Sequence, residues 1–127
     1  MKAYNNNEFE IHLTAAFRNE LTLAKKAGAD SEMELEWQHL ERAHILGQYR
    51  ATQHFQVHVL MMFFSLRHFH ILEFLGQIPR LVLSIPGSLT GLAPKGNTGG
   101  SNVGIFQPME IPSDLKIYLE SDQNFNG

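Results

Sequence analysis

ELEWQHLERAHILGQYRATQHFQVHVLMMFF, residues 34–64, carries four of the chain's seven histidines, its single tryptophan and two Glu-x-x-His pairs. How this stretch folds decides where those side chains go. Met33, Trp37, Leu40 and His44 follow an i, i+4, i+7, i+11 spacing. On a wheel of about 100° per residue they fall within roughly 60°, which places His44 on the apolar face of a helix. Glu36 and His39 point the other way, and Glu41 lies at the edge of the stripe, so of the two pairs only Glu41 with His44 faces inward. A continuous helix over 33–75 would hold His44 and His58 roughly 21 Å apart. GQYRAT, residues 47–52, interrupts it with a glycine able to end one helix and a threonine able to cap the next. The pattern therefore predicts a helical hairpin, 32–46 and 53–75, with His54 and His58 one turn apart and opposed to Glu41 and His44.

Upstream, Phe9, Leu13, Phe17 and Leu21 recur every fourth residue and predict an amphipathic helix over 8–26, stopped at Gly28. Ser31 and Glu34 have the spacing of a capping box for the second helix. The third helix is apolar on every side around Val57–Leu66, as a central or interface helix would be, with Phe63 and Phe64 as candidate interface residues, and Gly76 ends it. Pro79 to Ile85 reads as a short helix or a strand, closed by Pro86. Residues 87–112, with GNTGG at their heart, predict an irregular lid; Ser113 caps a last short helix to Glu120, and the tail SDQNFNG should fray. The expected fold is all-α and a single domain: a central antiparallel hairpin, an N-terminal helix, a long irregular Gly/Pro-rich segment and a short last helix.

The bulk numbers narrow the function classes. At 127 residues, 43% hydrophobic and 18% charged, the chain suits one globular domain. Its formal charge of -3 and scattered basic residues offer no field for nucleic acid. The absence of cysteine removes disulfides, thiolate metal sites and cysteine nucleophiles. MKAYNNNEFE lacks the apolar core of a signal peptide, and Val57–Leu66 is about half of the ~20 residues a bilayer span needs. A cytoplasmic protein without a membrane partner is expected.

Glu41, His44, His54 and His58 form an N3O donor set suited to zinc and acceptable to nickel, copper or iron. Such a site should weaken below pH ~6.5, where imidazole takes a proton. The set departs from a di-iron bundle, since both Glu-x-x-His pairs share one helix and face apart. His-Glu-x-x-His is absent, and no nucleophile or cofactor motif supports an enzyme. Trp37, Gln48, Asn97, Thr98 and Asn102 are candidates to surround the metal or to line a small-molecule pocket between hairpin and lid. The competing reading makes the histidines structural, hydrogen-bonded to backbone, Gln48 or water, in a homodimeric or larger homo-oligomeric interaction module built on Phe63 and Phe64. His68 and His70, two apart, cannot share a helix face, and Met61 and Met62 read as core filler.

WQHLERAHILGQ, HFQVH, PGSLTGLAPKGNTGGSNV and FQPMEIPSDL together resemble a bacterial family labelled a domain of unknown function, over roughly Trp37 to Leu115. That family is met in integron gene cassettes and beside heavy-metal resistance genes, and GNTGG with the following PMEIP is the most specific part of the likeness. The resemblance implies that Glu41, His44, Gln48, His54, His58, Asn97 and Thr98 occupy motif positions. It implies no reaction, and adds weight to a metal-binding or metal-stress accessory role and to small, often oligomeric products. FSLRHFHILEF departs from the longer basic stretch expected after the His-x-x-x-His helix.

Overall fold

A computed structural model of the protein describes residues 6–119. They form five helices and no strand: α1 (Asn6–Ala29), α2 (Met33–Gly47), α3 (Ala51–Arg67), α4 (Ile71–Thr90) and α5 (Ser113–Leu119). The most extensive packing joins α1 to α2 and α3 to α4; α2 and α3 meet over a smaller area, and α5 closes against α1 and α2. The tail expected to fray lies outside the described residues.

Two apolar clusters make the core. Leu13 and Phe17 of α1 meet Ala43, Ile45 and Leu46 of α2, with Val57 of α3 and Leu115 of α5. Ala24, Leu40, Met61 and Phe64 form the second, beside Trp37. Burying a leucine such as Leu46, which is 0% exposed, stabilises the fold by about 2 kcal/mol. Gly47 sets how closely α1 approaches, because a Cβ there would come within 2.6 Å of the Phe17 ring. Ion pairs tie the outer faces together. Buried Glu20 of α1 takes His39 Nδ1 at 2.6 Å and Arg42 Nε at 3.0 Å, and Arg42 reaches on to Asp114 at 2.6 Å. Glu36 points away from His44 as the wheel requires, yet it is not solvated: α1 and the end of α3 bury it, and Arg67 Nη2 pairs with it at 2.8 Å.

Several boundaries differ from those read in the sequence. The expected 53–75 helix is broken at His68–His70. Phe69 takes a left-handed φ of 57°, while its amide reaches Leu66 O and the His70 amide reaches Ser65 O. This is the closing pattern that glycine usually supplies after a helix. Ser31 does the same for α1: with φ 58°, it and Glu32 donate back to Gly28 and Ala27. Ser31 thus terminates α1 instead of capping α2, whose start has no side-chain cap. Thr52 likewise falls inside α3, after Arg50. The short segment expected over 79–85 is the middle of α4, which runs through both Pro79 and Pro86 and shortens the irregular region to the residues between Thr90 and α5. Both prolines lie on the exposed face, so the carbonyls they leave without an amide partner are not sealed into the core. Phe64, expected at an interface, is 2% exposed and packs on Trp37 with ring centroids 5.0 Å apart; Phe63 alone of the pair faces outward.

Candidate metal centre

α2 ends at Gly47 and α3 begins at Ala51, so the two helices place His44, His54 and His58 around one point. Their Nε2 atoms form a triangle with all three sides 3.1 Å. All three residues are buried.

The groups around the rings fix their tautomers. His44 Nδ1 faces the carbonyl of Asn97 at 2.6 Å. His54 Nδ1 faces the carbonyl of Ser84 at 2.9 Å and Ser88 Oγ at 2.8 Å, and that hydroxyl spends its own proton on Gln48 O. His58 Nδ1 faces Gln77 Oε1 at 2.7 Å, while Gln77 Nε2 donates to Glu73 and to Gly99 O, which settles the amide's orientation. Each Nδ1 therefore meets an acceptor and must carry the proton, leaving each neutral ring with a bare Nε2 lone pair. Burial holds the rings neutral: it lowers His44 well below its ordinary range, helped by the neighbouring His58 and His54, and lowers His54 and His58 to about 4. Three inward lone pairs with no proton among them repel one another unless something positive sits between. At 3.1 Å from one another, the three nitrogens are close enough that all could contact one divalent ion at the usual metal–nitrogen distance of about 2.0–2.1 Å.

That geometry depends on the segment after α4. Gly99, at φ 82°, lies against the His44 ring; a Cβ there would come within 2.5 Å of His44 Cδ2. Asn97 clasps the segment, donating to Gly104 O at 3.0 Å and Gln107 O at 2.8 Å and accepting from the Gly99 amide at 2.9 Å. Beside the three rings is a small cavity of about 40 Å³, lined also by Gln48, Arg80 and Ile105. It has room for an ion and one or two waters. Gln48 Oε1, buried among these groups, has no hydrogen-bond partner among the described residues.

The remaining candidates divide. Gln48 and Asn97 stand at the triad, Asn97 through its backbone carbonyl. Glu41 does not join the histidines. It lines a separate, larger pocket with Trp37, Phe64, Glu73 and Asn102, and burial raises its pKa against the opposing effect of the Thr98 hydroxyl. Thr98, one residue from the carbonyl that holds His44, has a buried hydroxyl with no hydrogen-bond partner among the described residues. Gln77, Ser84 and Ser88 are not among the residues singled out from the sequence. Their spacing of seven and four marks one polar face of a helix, a signal hidden when 79–85 is read as an isolated short element.

Fold and site together define an all-helical protein with a buried three-histidine cluster. A model of the family described as "Protein of unknown function (DUF3703)" matches residues 11–119, and the chain belongs to that family. No curated protein and no solved structure matches it.

Proposed function

We propose that the protein binds one divalent first-row transition metal, zinc by preference, through His44 Nε2, His54 Nε2 and His58 Nε2. The observation that carries this reading is the convergence of three bare Nε2 atoms whose opposite nitrogens are each committed as donors. Metal-bound histidines characteristically give their second N–H to a carbonyl or carboxylate, which orients the ring and raises its basicity. A structural role for these histidines alone would place a donor among the three nitrogens, and no described side chain supplies one. Gln48 lines the cavity beside the three rings, and its buried Oε1, which has no hydrogen-bond partner among the described residues, would be available to accept a hydrogen bond from a water held there. Three protein nitrogens with an open position suit an ion that holds or releases a small ligand. Glu41 has no part in this site.

Elemental mass spectrometry on protein purified under native conditions, then offered zinc, nickel, copper and iron at pH 7.5, tests the reading. Near-stoichiometric metal on the native chain, absent from folded His54→Ala and His58→Ala variants, is the expected result. A chain that stays metal-free with every ion, or variants that retain it, would overturn it.

A further inference from the structure

α4 faces two ways. Gln77, Ser84 and Ser88 on one side hold the histidines, and the helix contributes no residue to either apolar core cluster. Its apolar residues point outward instead: Ile71, Leu75, Ile78, Val82, Ile85 and Leu89 are all exposed, Val82 at 70% and Leu89 at 75%. Their spacings run four, three, four, three, four over a helix of 20 residues, the alternation of a coiled-coil seam. Leu72, Pro79 and Pro86 flank the seam on one side, and Phe69, 84% exposed in its left-handed turn, widens it at one end.

We infer that this face of α4 is the contact between two copies of the chain. A seam of this spacing is complementary to itself, since each residue fits a hole between the equivalent residues of a second such helix. With its flanking residues it offers on the order of 900 Å² of exposed apolar surface, more than monomers usually leave open and comparable to the ~800 Å² each partner buries in a stable complex. No charge stands on the stripe to repel a copy. The only charged residues of α4, Glu73 and Arg80, are engaged on its inner side, with Ser101 and with the carbonyls of Gly76 and Val103. A lipid surface is the poorer match, because helices that lie on membranes carry basic residues along their polar face, and this one has a single arginine that is already bonded. Nothing in this inference depends on a metal being bound.

Sedimentation velocity of the full chain over a broad dilution series tests it, with Val82→Glu and Leu89→Glu on the seam and Ile117→Glu and Phe63→Glu away from it. The native chain, Ile117→Glu and Phe63→Glu should sediment at twice the monomer mass. Val82→Glu and Leu89→Glu should sediment as monomers with unchanged far-ultraviolet circular dichroism. Should a seam glutamate unfold the chain, Val82→Ser takes its place and is expected to weaken the dimer at least tenfold. A native chain that is monomeric at every concentration overturns the inference, as does a dimer that survives both seam variants or one that Phe63→Glu dissolves. A monomer that pellets with phosphatidylcholine–phosphatidylglycerol vesicles overturns it too and assigns the stripe to lipid.

Discussion

The side chain that offers the sharpest test is Gln77, because it touches the proposed ion only through His58. Gln77→Leu keeps the volume but leaves His58 Nδ1 without an acceptor, so the ring can turn or take the wrong tautomer. Zinc affinity, measured by competition with a chromophoric chelator, should fall about tenfold to a hundredfold while the helix content stays unchanged. The histidines also set a pH dependence for the metal-free protein. In the folded chain His54 and His58 titrate at about 4, below the ~6.5 of an unfolded chain, so the unfolded state binds more protons between those values. Their contribution is fully present above pH ~6.5 and is lost as the pH falls toward 4, on the order of 2–3 kcal/mol for each ring. Urea midpoints taken in chelator should drop steeply across that window, and in a His54→Gln, His58→Gln double variant they should drop far less. The three histidines were legible in the sequence because a four-residue spacing and a turn are local properties. Glu41 was not separable from them by a wheel: it shares a turn with His44, yet Thr98 and Glu73 stand on its side of the helix.

At the scale of the element, α1 and α2 were readable from periodicity because their apolar stripes do face a core. The break between α3 and α4 was not, since the left-handed position that ends α3 is filled by Phe69, where sequence rules look for glycine or asparagine. α4 was hidden by the same logic turned round, because two interior prolines are strong evidence against a helix until one knows that they sit on its outer face. The irregular segment after α4 holds one glycine with no substitute. Gly99→Val would force a branched side chain into φ 82° and against the His44 ring, at a cost of about 1–3 kcal/mol in backbone strain alone. A lowered urea midpoint together with loss of zinc uptake is the expected pair of results. Gly87, which meets nothing within 4 Å, is the matched comparison, and Gly87→Ala should leave zinc uptake unchanged.

For the whole molecule, the proposed ion, held by α2 and α3 with α4 and the segment around Asn97 orienting its ligands, would stabilise the folded state by mass action. At a free concentration about a hundredfold above its dissociation constant it adds about 2.7 kcal/mol. For a chain of this size that raises the melting temperature by roughly 5–10 °C. Differential scanning calorimetry should show such a rise with zinc over chelator in the native chain, and none in His44→Ala. No helix among the described residues is long and apolar enough to cross a membrane, and nine of the eighteen large apolar side chains exposed among those residues lie on α4 and the turn before it.

Asn97 has a consequence in time as well as in space. Its side-chain amide pins the segment that lies over the three rings, and its own carbonyl holds one of them. Loading and unloading of the proposed ion would then be limited by how often that clasp opens. Asn97→Ala should speed both loading and unloading in stopped-flow exchange with a fluorescent chelator, by more than it changes the equilibrium constant. With the clasp intact, the protein would ignore brief swings in the free metal around it and follow only the supply averaged over many openings.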